Sequence, residues 1–194
     1  MRRIITLVGS IVLILGLALS LIACDQVETD LIAGGGNPAS ETDVGDVAVF
    51  DDGDYLYLVA VMANWIGPTD EDWQESGWKI LDAHAHVAVN AADIPQKNGN
   101  PRPGKFDLHF EDGEWEEDGD EIIAGGWEIM LTQAMKDAET VYIALHLKVV
   151  HDQMNEDPSD DVYESVWADG PDFAGKNWAT YFEYELGSNS PPEL

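Results

Sequence analysis

A chain of 194 residues is long enough to bury one good core and too short for two large domains. Its 38 Asp and Glu against nine Lys and Arg give a formal charge of −29, yet 45% of its residues are hydrophobic, so the acid belongs on the surface of a globular fold rather than to a disordered chain. A field of that sign repels phosphate backbones and anionic head groups, which argues against a nucleic-acid or phosphoinositide partner, and it attracts cations.

Arg2 and Arg3 open the chain, residues 4–23 form an almost unbroken apolar run, and Leu21-Ile22-Ala23-Cys24 leads directly into Asp25. A basic start followed by an apolar run is the pattern of a signal peptide, here residues 1–23. All the acids follow it, so the mature part carries 38 acidic against 7 basic side chains, about −31. The small residue before the thiol resembles the lipobox of bacterial lipoproteins, which implies a diacylglycerol on the sulfur of Cys24 and membrane lipid as its partner. Cys24 is the only cysteine, which leaves no disulfide and no thiolate metal site. An uncleaved transmembrane helix is the other reading of about 20 apolar residues. Either way the domain is expected at the cell membrane, facing the periplasm or the exterior. Two causes of the acidity stay open: a saline environment that screens it, which is favoured, or divalent-ion sites.

Residues 24–42 mix acids with Gly34-Gly35-Gly36 and Asn37-Pro38 and read as the lipidated cysteine and a linker, with a first strand near Leu31 or Val44. The domain is placed at residues 43–187 and a polar tail at 188–194. From Val47 the pattern turns to β: Val47-Ala48-Val49-Phe50, an Asp51-Asp52-Gly53-Asp54 turn, then residues 55–62 as the second arm of a hairpin. Further strands are expected over 78–81, 84–89, 106–110, 126–131, 141–150 and 178–186, with a helical turn or two over 132–138 and an extended loop over 94–104. Short strands separated by turn residues predict an all-β fold, an antiparallel β-sandwich of jelly-roll or immunoglobulin-like type.

Several segments together resemble an uncharacterised domain of bacterial exported and cell-surface proteins. They are Leu31-Ile32-Ala33-Gly34, Asp43-Val44-Gly45-Asp46-Val47, His86-Val87-Ala88-Val89 with Asp93-Ile94-Pro95-Gln96 and Gly99-Asn100-Pro101, and Trp167-Ala168-Asp169-Gly170 leading to Gly175-Lys176-Asn177-Trp178-Ala179-Thr180-Tyr181-Phe182. The resemblance covers almost all of the mature domain, and the last motif is its most specific part. It implies an all-β extracellular module and carries no established activity. The chain departs from the family where Thr-Glu-Thr-His is usual, reading His84-Ala85-His86, and it inserts acidic segments over 68–73 and 111–121.

His84 and His86 stand one residue apart, so on a strand both imidazoles point to one face and can occupy two positions of a Zn or Cu site. His146, in another expected strand, is the candidate third ligand, with Asp82 close in sequence. The competing reading makes His86 and His146 space-filling, hydrogen-bonded residues of apolar strands. The acidic turns 51–54, 118–121 and 157–161 offer oxygens to Ca²⁺, but none has the EF-hand spacing, and solvated turns are the simpler reading. Trp65, Trp73 and Trp78, among Gly, Pro and acids, are candidates for stacking on a carbohydrate ring, with core anchors as the alternative. Trp115 and Trp127 flank another acidic loop, whereas Trp167 and Trp178 read as core. The chain carries no phosphate loop, nucleotide fingerprint, nucleophile elbow or HExxH helix. The expected function is therefore that of a membrane-anchored, non-catalytic envelope module binding carbohydrate or a surface protein, with a metal-dependent protein using the His-x-His strand as the rival.

Overall fold

The structure is a computed structural model that describes residues 27–34, 41–62, 78–118, 121–151 and 162–188. Cys24, Trp65, Trp73, Gly119, Asp120 and the turn at 157–161 lie outside the described residues. The chain is nearly all β and antiparallel, as its turn-punctuated pattern of strands predicts. Among the described residues twelve strands follow in order: β1 (Val27–Ala33), β2 (Thr42–Asp51), β3 (Tyr55–Met62), β4 (Trp78–Ala88), β5 (Gln96–Lys97), β6 (Asn100–Pro101), β7 (Leu108–His109), β8 (Glu114–Asp118), β9 (Glu121–Met130), β10 (Thr140–His151), β11 (Val162–Ala168) and β12 (Phe182–Glu185). A short helix, α1 (Gln133–Ala138), is capped by the Thr132 hydroxyl, which accepts from the Met135 N–H.

Ten strands form a single sheet in the order β7-β4-β10-β11-β1-β2-β3-β9-β8, with β12 also pairing to β10. The sheet curls until β4 packs against β9 and β3. Between them lies the main core, filled by alternate residues such as Leu31 of β1, Leu56 and Leu58 of β3, and Val141, Ile143, Leu145, Leu147 and Val149 of β10. Two tryptophans draw the ends of the sheet together: the Trp127 indole N–H on β9 donates to the His109 carbonyl at 2.9 Å, and that of Trp115 on β8 donates to the Phe110 carbonyl at 2.7 Å. Trp115 also stacks on Phe110, with ring centroids 4.6 Å apart. Both are therefore core anchors.

The sheet begins inside the stretch that composition reads as a linker. β1 pairs with β2 on one side and with β11 on the other, and Leu31 and Ala33 are fully buried. Backbone pairing on both edges outweighs the glycine and acid that follow it. The loop expected over 94–104 contains a small hairpin, β5–β6, because Asn98 and Gly99 both adopt positive φ, at 54° and 77°, as a two-residue turn of this type requires. The two strands expected over 78–81 and 84–89 are one continuous β4, interrupted opposite β10 by a register shift.

The outer face of β4, β10 and β11 is covered by a second, smaller core. Ile94 and Phe106 from the loop after β4, and Phe173 and Ala179 from the loop after β11, close over Ala88, Ala144 and Trp167. The two loops are clasped: the Asn100 side-chain carbonyl accepts from the backbone N–H of Lys176 at 2.9 Å and of Asn177 at 3.2 Å. Gly175 is required at the contact, since a Cβ there would overlap the Asn100 amide. No helix among the described residues is long and apolar enough to cross a membrane.

Candidate ligand site

The three histidines singled out by spacing do share one face. His84 pairs with His146 across the β4–β10 ladder, and His109 of β7 pairs with His84, so a row of rings runs His109, His84, His146, Trp167 across four strands. Neighbouring centroids are 5.1, 6.3 and 4.8 Å apart. Residues directly opposite on adjacent antiparallel strands present side chains side by side, and rings so placed lie along one another instead of converging on a point. Among the described residues no group of three or more His, Cys, Asp or Glu has the arrangement to hold a metal ion. The ligand set of His84, His86 and His146 expected for Zn or Cu is thus not assembled.

Each ring has other partners. His84 Nε2 lies 3.3 Å from the Asp82 carboxylate, and its Nδ1 lies 3.1 Å from His109 Nδ1, so one of those two nitrogens carries the shared proton and the other accepts it. Asp82 also takes a hydrogen bond from Lys148 Nζ at 2.9 Å, and this contact together with His84 holds its carboxyl below the ordinary value against the upward push of burial. His146 is buried, with Nε2 2.7 Å from the Ser165 hydroxyl and Nδ1 without a partner. Burial, and then the charges of His84 and Lys148, push it down to about 4, so it is neutral at physiological pH. His86 Nδ1 lies 3.3 Å from the Asp107 carboxylate, within ion-pair range but off the angle of a hydrogen bond. Burial lowers its pKa, countered by Asp107 and Asp93. Proton sharing thus joins His84 to His109, and a hydrogen bond joins His146 to Ser165, while His86 faces Asp107. His109, which the sequence reading passes over, belongs to the row because Leu108 beside it faces the main core.

The row ends at a cavity. Trp167 is the last ring of the ladder and also lines, with Trp178, a 210 Å³ cavity. Glu41, Asp169 and Asp172 line it, with Ile32 contributing from β1, and Thr180 closes it. The local chain explains the placement. Asp172 and Thr180 form an isolated bridge, the Phe173 N–H donates to the Ala179 carbonyl at 3.0 Å, and the Tyr181 N–H donates to the Pro171 carbonyl at 3.1 Å, so residues 171–181 fold back as an irregular hairpin. Phe173 and Ala179 sink into the smaller core, which leaves Trp178 half-buried at the rim. The Thr180 hydroxyl donates to the Ala168 carbonyl, and the Asp169 carboxylate accepts from the Gly170 N–H at 2.8 Å.

Of the tryptophans proposed from sequence as ligand contacts, Trp78 is described. It sits half-buried at the start of β4, packed against the main core and edge-on to His151 at 4.8 Å. That is the position of a core anchor. The tryptophans that line the cavity are instead Trp167 and Trp178, both read from sequence as core. The acidic turn 51–54 uses its carboxylates on its own backbone: Asp52 accepts from the N–H groups of Asp54 and Tyr55, Asp51 accepts from that of Gly53, and the other Asp51 oxygen takes the Tyr184 hydroxyl and the Gly187 N–H. Comparison with known protein families, with characterised proteins and with solved structures returns no match to this chain.

Proposed function

We propose that the chain is an exported lipoprotein, held at the membrane through Cys24, whose β domain is a non-catalytic binding module with its ligand seated between Trp167 and Trp178. The cavity carries this reading: it is concave, two tryptophans line it, and the hydroxyl of Thr180 in its lining is already committed to a backbone carbonyl. The leader supports the location, since a basic start, an apolar run and a single cysteine at its end serve export and lipid attachment together. Each buried methylene of an acyl chain contributes about 0.8 kcal/mol, so diacylglycerol with a further chain makes a lasting anchor. The ligand classes are a carbohydrate or a group presented by a surface protein.

The anchor is tested by expressing the full chain and its Cys24→Ala variant and following both through membrane fractionation and mass spectrometry. The native chain is expected in the membrane with an acyl mass on the peptide that begins at Cys24, and the variant without it; an unmodified native leader in the cytosol overturns the location. Binding is tested on glycan and surface-protein arrays with the full chain in non-ionic detergent. Hits are expected to disappear with Trp178→Ala and to survive Trp78→Ala, and the reverse pattern overturns the cavity as the seat.

A further inference from the structure

The chemistry of the cavity wall narrows the class of ligand. Its charged side chains are Glu41, Asp169 and Asp172, all acids. Thr180 and Gly170 have their donors committed, so apart from the two indole N–H groups the side chains of the lining present acceptors and aromatic surface. The negative potential extends past the rim, where partial burial, and then Asp43 and Asp169, push the Asp30 carboxyl up. An anion is repelled from such a place, and a neutral polyol gains nothing from the charge of three carboxylates. A bare metal ion needs several donors converging on one point, and among the described residues no such group is formed. What remains is a cation with an apolar skin, which indole faces attract through their quadrupole and carboxylates attract through charge. The 210 Å³ of space is smaller than the roughly 300 Å³ at which pockets for drug-sized ligands begin, and it suits a head group.

Resting on the reading of this cavity as the ligand seat, the geometry points to an alkylated ammonium group as the ligand, with Trp167 and Trp178 as walls and Asp169 and Asp172 as its counter-ions. The group is free, as in choline, or, for a domain tethered at the membrane, carried on a lipid head. No covalent step is involved.

Calorimetry on the full chain in non-ionic detergent, with excess KCl to occupy the diffuse acidic field, separates the outcomes. Choline is titrated beside 3,3-dimethylbutan-1-ol, which has the same shape without the charge. Saturable binding of choline to one site per chain is expected, with the neutral isostere and the Trp178→Ala and Asp172→Asn variants each weaker by about tenfold or more. Asp172 is exposed, so its variant keeps the fold and isolates the charge. Vesicles with choline head groups, run as a further arm, tell a lipid head from the free ion. Equal binding of the isostere, or no saturable heat with choline, overturns the proposal. If array hits still depend on Trp178 in that case, the ammonium class alone falls; if nothing depends on Trp178, the ligand seat falls with it.

Discussion

Asp46 and His146 are buried charge problems of opposite sign, and together they shape the response of the chain to acid. Asp46 faces Asp30 directly across the β1–β2 ladder, and one of its carboxylate oxygens is buried without a partner. Burial, then Asp43 and Asp30, raise its pKa to about 6. A raised carboxyl binds its proton more readily when folded, so this residue disfavours the fold above about pH 6, and the penalty fades as the pH falls toward 3.8. Asp46→Asn is expected to stabilise the chain at pH 7 by on the order of 1 kcal/mol, a figure reduced because the side chain is only half-buried. His146 runs the other way. Its folded value of about 4 lies below the ordinary 6.5, so the unfolded chain takes up the proton first and stability falls as the pH drops from 6.5 to 4. That loss is about 3 kcal/mol, acting on a ring flanked by His84, Lys148, Asp82 and Ser165. Denaturant unfolding of the native chain, of Asp46→Asn and of His146→Gln across pH 4 to 7 checks both. The His146 variant should flatten the acid-side slope and the Asp46 variant should steepen it.

The elements that position the cavity are the two clasped loops on the outer face of the sheet. Asn100 holds them by accepting two backbone N–H groups, so Asn100→Ala should cost about 1 kcal/mol of stability, because the freed groups are exposed enough to find water. The larger effect should fall on binding, since the hairpin of residues 171–181 then loses its tether and Trp178 its fixed place. Thermal melting with parallel calorimetry separates the two: a modest shift in melting temperature with a several-fold loss of affinity is expected, and unchanged affinity removes the clasp from the site. Much at this scale is legible in the sequence. The hairpin β2–β3 follows from an Asp-Gly turn between two β-branched and aromatic runs, and α1 from Thr132 ahead of good helix formers. Besides the small hairpin β5–β6, two strands are not legible as such. β8 is written Glu-Trp-Glu-Glu-Asp, which reads as an acidic loop, but an edge strand takes charge on its open side, and pairing with β9 and the Trp115 side chain anchor it. β11 hides in an acid-rich neighbourhood because only its second half, Val166 to Ala168, is buried. The cavity was illegible for a related reason. Trp167 and Trp178 do pack with the smaller core as their motif leads one to expect, and only the folding back of residues 171–181 brings Trp178 beside Trp167 in the lining of one cavity.

At the scale of the whole molecule the main tension is between a well-filled apolar core and a charge of −29. Among the described residues, lysine–aspartate pairs occur at Lys136–Asp54 and Lys148–Asp82, each 2.9 Å and each with one exposed partner, so pairing offsets little of the field. The sequence leaves two causes of the acidity open, and the folded turn at 51–54 weighs on them. There partial burial pushes the Asp52 carboxyl up, but the backbone N–H groups of Tyr55 and Asp54 and the Tyr57 hydroxyl bring it below its ordinary value, so this acid is occupied by its own turn and not held ready for Ca²⁺. Screening should then be the dominant response. Raising KCl from 0.1 to 1 M shortens the screening length from about 10 to 3 Å. This should stabilise the chain by on the order of 2 kcal/mol, or about 4–8 °C in melting temperature at this chain length. Scanning calorimetry in KCl and in CaCl₂ at matched ionic strength decides between the causes. Overlapping curves are expected, because screening depends on ionic strength and closely similar melting points follow from it. A melting temperature that climbs steeply in low millimolar CaCl₂ and saturates there would instead mean that divalent ions bind specific carboxylates, and the acidity would then have to be explained by those sites.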